Sequence, residues 1–244
     1  TSNSNITVRR SHFLNNGGGD NFGLFYLDNM ITILFEDSEF VGNSGGRGGI
    51  MGSNGASKVS IVNNRCSFRD NNLASNDVGN IYYMFILSTT TASILFADCE
   101  FSNNAIGDRG MVNFWSTEAT GSAQLNVTVL RSTVTKCAAF FYTTTTMTTL
   151  QPTLIIEDSI IEYAVADGLM GMDSSGANGL LILRNNTIRH TSANLLINAY
   201  IATATIKDNV FYNNTNIQLV GLNTLTSQNN VYTKPEAVPA GLFS

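Results

Sequence analysis

One short pattern recurs nine times along the chain, and that repetition limits the possible folds before any local propensity is weighed. Residues 6–16 (ITVRRSHFLNN) match residues 33–43 (ILFEDSEFVGN) and residues 94–104 (ILFADCEFSNN). Aligned on the aromatic or aliphatic anchor, the copies centre on Phe13, Phe40, Phe68, Phe101, Val134, Ile161, Ile188, Phe211 and Tyr232. Their spacings are 27, 28, 33, 33, 27, 27, 23 and 21 residues. Two residues before the anchor runs a column of small polar residues: Ser11, Ser38, Cys66, Cys99, Ser132, Ser159, Asn186, Asn209 and Asn230. Three residues after it, asparagine recurs at Asn16, Asn43, Asn71, Asn104 and Asn214. The third copy is irregular, because Asn63 falls where an apolar residue is expected.

Each unit holds a further apolar stretch opened by a small residue, as at Gly23-Leu24, Gly49-Ile50, Gly110-Met111 and Gly168-Leu169. Three short strands and three turns in 21 to 33 residues are too few for a propeller blade, and no 3.6-residue apolar stripe supports helices. The expected fold is all-β: a right-handed, single-stranded parallel β-helix of about nine coils, with like residues stacked about 4.8 Å apart. It spans residues 1–233, and residues 234–244 form a tail leaving the solenoid. All three prolines, Pro152, Pro235 and Pro239, leave long uninterrupted stretches for sheet.

Composition fits stacking of this kind. Only 13% of the 244 residues are charged, while Asn, Ser and Thr number 30, 22 and 26. Uncharged polar side chains can sit above their own copies without repelling. A net charge of −5 makes a nucleic-acid partner unexpected. A hydrophobic content of 43% excludes a disordered chain. The apolar run Ile81–Leu87 is too short to span a bilayer, so no direct membrane insertion is expected.

The Phe-x-x-Asn element occurs at Phe13–Asn16, Phe40–Asn43, Phe68–Asn71, Phe101–Asn104 and Phe211–Asn214, and residues 45–50 read GGRGGI. Together these resemble the repeats of chlamydial-type polymorphic outer membrane proteins, within the pectin-lyase-like superfamily of right-handed β-helices. The resemblance implies a cell-surface passenger or adhesive rod.

Enzymes of that superfamily use clustered carboxylates with a basic residue, and the chain contains no Asn-Thr-Asp, Asp-Asp or Gly-His-Gly element. His12 and His190 fall six repeats apart and cannot cooperate. No catalytic residue, cofactor site or metal site is assigned. Three residues before each anchor, Arg10, Asp37, Arg65, Asp98, Arg131, Asp158, Asn185, Asp208 and Asn229 alternate acidic with basic or amide groups. This reads as a structural charge ladder, because alternation separates the carboxylates that catalysis would bring together. The longer loops of the first four repeats carry Asp20, Arg47, Asp77, Asp108 and Arg109, a candidate binding face. Cys66 and Cys99, on consecutive repeats, read as small buried thiols replacing serine, with a disulfide between the stacked strands as the alternative, and Cys137 lies elsewhere in its repeat. Sequons at Asn5, Asn126, Asn185 and Asn213 are candidate N-glycosylation sites, although chance alone gives about six in a chain this rich in Asn, Ser and Thr.

The leading expectation is an extracellular or cell-surface scaffold without catalysis, one segment of a larger surface protein or fibrous assembly. Its partners would be copies of itself, neighbouring segments, or glycans. The alternatives are a polysaccharide lyase or glycoside hydrolase of the pectin-lyase-like type, and a glycan-binding module.

Overall fold

The computed structural model describes residues 4–17, 23–45, 49–71, 81–104, 110–117, 121–137, 140–145, 150–163, 169–172, 178–191, 201–214 and 223–233. Among these residues the regular structure is entirely β, and every strand pair is parallel. A nine-stranded sheet takes one short strand from each repeat, in sequence order: His12–Leu14, Glu39–Val41, Ser67–Arg69, Glu100–Ser102, Thr133–Thr135, Ile160–Glu162, Thr187–Arg189, Val210–Tyr212 and Val231–Tyr232. A twelve-stranded sheet takes the preceding strand of each repeat, again in order: Ser4–Arg9, Phe25–Glu36, Met51–Asn64, Tyr82–Ala97, Gln124–Leu130, Gln151–Glu157, Gly179–Arg184, Ile201–Lys207 and Thr224–Gln228. Its remaining strands are Val112–Ser116, Phe141–Thr145 and Met170–Met172.

Strand formation follows from alternation. In Gln124–Leu130 the residues Leu125, Val127 and Val129 are buried, while their neighbours face the other way. β-branched residues suit such a half-buried pleat. The register matches copy to copy, with Ile6 on Ile33, Ile33 on Ile61, Ile61 on Ile94, and Ile94 on Val127. The anchors pair likewise, and Phe40, Phe68 and Phe101 are fully buried. Phe13, Phe40, Phe68 and Phe101 form one face-to-face column, with centroids 5.0, 5.1 and 4.9 Å apart and planes within 7° of parallel.

The expected three short strands per repeat hold only in part. In Phe25–Glu36, Met51–Asn64 and Tyr82–Ala97 two of the expected strands run together, and irregular register between Asp28 and Met30 and between Ser53 and Lys58 marks the junction. Bulges of this kind bend a strand without ending it, and Gly55, at φ +73°, supplies the conformation needed there. Farther along, Val112–Ser116 and Gln124–Leu130 are separate, and Gly121 between them adopts φ +133°.

Both polar columns hydrogen-bond from repeat to repeat. The Asn16 side-chain amide donates to Asn43 Oδ1 at 2.9 Å, Asn43 to Asn71 at 3.0 Å, and Asn71 to Asn104 at 2.9 Å. The amides of Asn43, Asn71 and Asn104 also donate to the carbonyls of Phe13, Phe40 and Phe68. In the column before the anchor, the backbone amides of Cys99, Ser132, Ser159, Asn186 and Asn209 donate to the next residue's side chain at 2.9–3.1 Å. Cys137 lies apart from the Cys66–Cys99 column, three residues after its anchor in the asparagine column, with its sulfur 3.7 Å from Asn104 Nδ2.

Asn63 is wholly buried despite breaking the apolar pattern. It accepts the Tyr82 hydroxyl at 2.6 Å and donates to the Leu95 carbonyl at 3.1 Å, so its amide is met on both sides. A satisfied buried amide avoids the penalty of an orphaned one. Burial holds the Tyr82 phenol well above its usual value, leaving it a donor.

Replacing Phe101 with Ala removes a ring packed against Phe68, Phe96 and Phe140. Unfolding in denaturant should show a loss of about 3–5 kcal/mol. A loss below about 1 kcal/mol, the scale of a surface substitution, would contradict the core position.

Candidate functional site

The charge ladder occupies a corner of the backbone, between the last residue of each long strand and the short strand that follows. All nine members, Arg10, Asp37, Arg65, Asp98, Arg131, Asp158, Asn185, Asp208 and Asn229, adopt left-handed φ values between 45° and 57°. Asp and Asn enter this region with the least strain, while arginine pays the usual Cβ penalty. Backbone hydrogen bonds fix the corner: the amides of Asp37, Arg65, Asp98 and Arg131 donate at 3.0 Å to Asn64, Ala97, Leu130 and Glu157. A second left-handed column follows the anchors at Asn15, Gly42, Asp70, Asn103, Lys136, Tyr163, His190 and Asn213. Sequence reasoning passed over it, although its run of Asn, Gly and Asp in the first four repeats is the ordinary mark of a left-handed turn.

The ladder is grouped in twos. Arg65 Nε and Nη2 grip both carboxylate oxygens of Asp37 at 2.6 and 3.0 Å, and Arg131 grips Asp98 in the same way at 2.8 Å. Asn185 donates to Asp158 at 2.6 Å, and Asn229 donates to Asp208 at 3.0 Å. The hydrogen bond from Arg65 holds the Asp37 carboxyl below its usual value, and Arg131 does the same to Asp98. Both guanidinium groups shift upward in response. Neighbouring acids and bases join the network: Glu36 pairs with Arg9 and Arg65, and Glu39 pairs with His12 and Arg69.

Along this corner lies an open groove of about 660 Å³, lined by Asp37, Ser38, Glu39, Arg65, Cys66, Ser67, Asp98, Cys99, Glu100, Arg131 and Thr133. Ser67 Oγ is buried without a hydrogen-bond partner, between Glu39 and Glu100 in the register of the short sheet. All three cysteines are free and buried, and Cys66 and Cys99 occupy neighbouring positions of one column in adjacent repeats. Burial pushes the Cys137 thiol up to about 11. A general acid needs a carboxyl whose proton affinity is raised. Asp37 and Asp98 are displaced the opposite way, each committed to an arginine.

The other expected residues divide clearly. Asp20, Arg47, Asp77, Asp108 and Arg109 lie outside the described residues, as do residues 234–244 of the expected tail. His12 is exposed on the Glu39 carboxylate, and His190 stacks on Tyr163 with Asn213 hydrogen-bonded to its ring. Of the sequon asparagines, Asn5 and Asn185 are exposed, while Asn126 and Asn213 are half-buried. Among the described residues no group of three or more His, Cys, Asp or Glu side chains is placed to hold a metal ion. Comparison with protein-family models, with curated proteins and with solved structures found no match to this chain.

Changing Asp98 to Arg places a third guanidinium between Arg65 and Arg131. The backbone accepts the change, since arginine already adopts this conformation at three corners. The variant should melt lower than the parent, and by a wider margin at low salt than at high salt. A melting difference indifferent to ionic strength would contradict the register. The acid response follows from the same pairs. Folding holds Asp37 and Asp98 below the ordinary 3.8, so their contribution is complete above about pH 4 and is lost as pH falls below that value. In acid titrations, Asp37→Asn with Asp98→Asn should flatten the decline in melting temperature between about pH 4 and pH 2; an unchanged decline would show that these pairs do not contribute.

Proposed function

We propose that the chain is a right-handed parallel β-helix of about nine coils, serving as an extracellular structural or adhesive scaffold within a larger surface protein or fibrous assembly. Sequence-ordered parallel strands, one per repeat in each sheet, support the solenoid reading. Right-handedness follows from the strong preference of parallel crossovers for that hand. The resemblance of the repeats to those of polymorphic outer membrane proteins, and to the wider pectin-lyase-like superfamily, supports a place outside the cell or on its surface.

The observation that carries the functional reading is the neutralisation of charge along the ladder corner. Asp37 and Asp98 are each closed by a bidentate arginine from the next repeat. Groups spent on their neighbours stiffen a rod and leave little for moving protons. Such a rod acts through length and surface, with copies of itself or adjoining segments as partners.

A glycan-binding reading has one observation of its own. Phe85 and Trp115 lie half-buried on the face of their strands opposite the core residues Met84 and Phe114, with ring centroids 5.0 Å apart, and the buried Tyr83 supports Trp115 from 6.5 Å. Rings on a rigid sheet face can stack against sugars.

Uronate polymers incubated with the chain, with and without Ca²⁺, should keep their length, and a glycan array should separate the scaffold from the binding module. Depolymerisation that disappears in Glu100→Gln would replace the scaffold reading with an enzyme centred on the groove. Array binding that disappears in Trp115→Ala would favour the glycan-binding module.

A further inference from the structure

We propose that Cys66 and Cys99 form a reversible disulfide that ties two consecutive repeats together on the floor of the groove, closed by exchange with a small-molecule disulfide. The two residues are consecutive members of one column, with Ser38 on one side and Ser132 on the other. The backbone around them is locked in register: Ser67 N donates to the Ser38 carbonyl at 3.0 Å, Glu100 N to Cys66 at 3.0 Å, and Thr133 N to Cys99 at 2.9 Å. Adjacent parallel strands lie about 4.8 Å apart, inside the Cα separation of roughly 4.4–6.8 Å found in disulfides, so a small approach of the two Cβ atoms closes the bond. Both residues line the groove, and each sulfur lies 3.3–3.5 Å from a backbone carbonyl. Cys137 is excluded by its place, because it belongs to the asparagine column on the far side of the short strand, against Asn104.

The hydrogen bond from Cys99 lowers the Cys66 thiol below its usual value, whereas the same contact and burial push Cys99 upward. Both cysteines line the groove, so either thiolate can open the exchange, and the step is the same with the two exchanged. Starting from Cys66, the thiolate attacks one sulfur of the small disulfide, forming a mixed disulfide and releasing one thiolate. Cys99 then gives up its proton and attacks the Cys66 sulfur, releasing the second small thiol. One disulfide is consumed, one is formed, and two small thiols leave. The protein dithiol is oxidised by two electrons, and the reagent is reduced by two. Closure joins residues 33 apart in the sequence and restricts the unfolded chain.

The test is to treat the full chain with oxidised glutathione, denature and alkylate it, and then map it by mass spectrometry. Free thiols should fall from three to one, with a peptide pair joining Cys66 to Cys99. The melting temperature should rise and return after dithiothreitol. Cys66→Ser and Cys99→Ser should each abolish the cross-link and leave a stable glutathione adduct on the remaining thiol of the pair. Both variants are expected to fold, since serine fills this column at Ser38, Ser132 and Ser159. Three free thiols after oxidation, a bond to Cys137, an intermolecular bond, or an unresolved adduct at Cys66 in the unaltered chain would each overturn the proposal.

Discussion

The backbone hydrogen bond from one repeat to the next governs the rest of the molecule. Parallel pairing in register sets each residue against its own counterpart about 4.8 Å away, so a side chain must be compatible with its copy. Phenylalanine meets this condition by stacking, as the column from Phe13 to Phe101 does with planes nearly parallel. Asparagine meets it because an amide is donor and acceptor at once. A charge meets it only where its sign changes, so arginine follows aspartate at Asp37–Arg65 and again at Asp98–Arg131.

That condition is also why much of the architecture was legible in the sequence. Residues whose main neighbour is their own copy leave a periodic trace, and Ile33, Ile61, Ile94, Phe40, Phe68 and Asn71 left one that survives unequal spacing. Merging of strands left no such trace. Whether Tyr82–Ala97 is one strand or two depends on how sharply the chain bends between them, and no residue type there dictates the bend. The charge ladder was visible as charge but not as geometry. Arg10, Arg65 and Arg131 have no propensity for a left-handed corner, so nothing in their chemistry signals the backbone they adopt. The corner is imposed by hydrogen bonds to the next repeat, which are long-range in sequence.

Polar groups in the core obey the same rule of being met by a neighbour. Asn63 breaks the apolar column, and Tyr82, from the adjacent repeat, closes the gap with its hydroxyl. Two departures from the pattern thus offset one another. The groove beside them inherits its character from this packing: its walls are ladder charges, and its floor is the pair of thiols that replaces serine at Cys66 and Cys99.

The amide columns also give the molecule a direction. From Asn16 to Asn104 each side-chain NH₂ points to the following repeat and each Oδ1 to the preceding one, and Asn186, Asn209 and Asn230 keep the same sense. Their dipoles therefore add along the stack instead of cancelling. At the amino-terminal edge the first column starts from the oxygen of Asn16, while the second column closes on itself where the Asn230 amide turns back to the Ile206 carbonyl and the Ser227 hydroxyl. The stack is a vector with unlike ends: one begins on an amide oxygen, and the other is sealed by its own last amide.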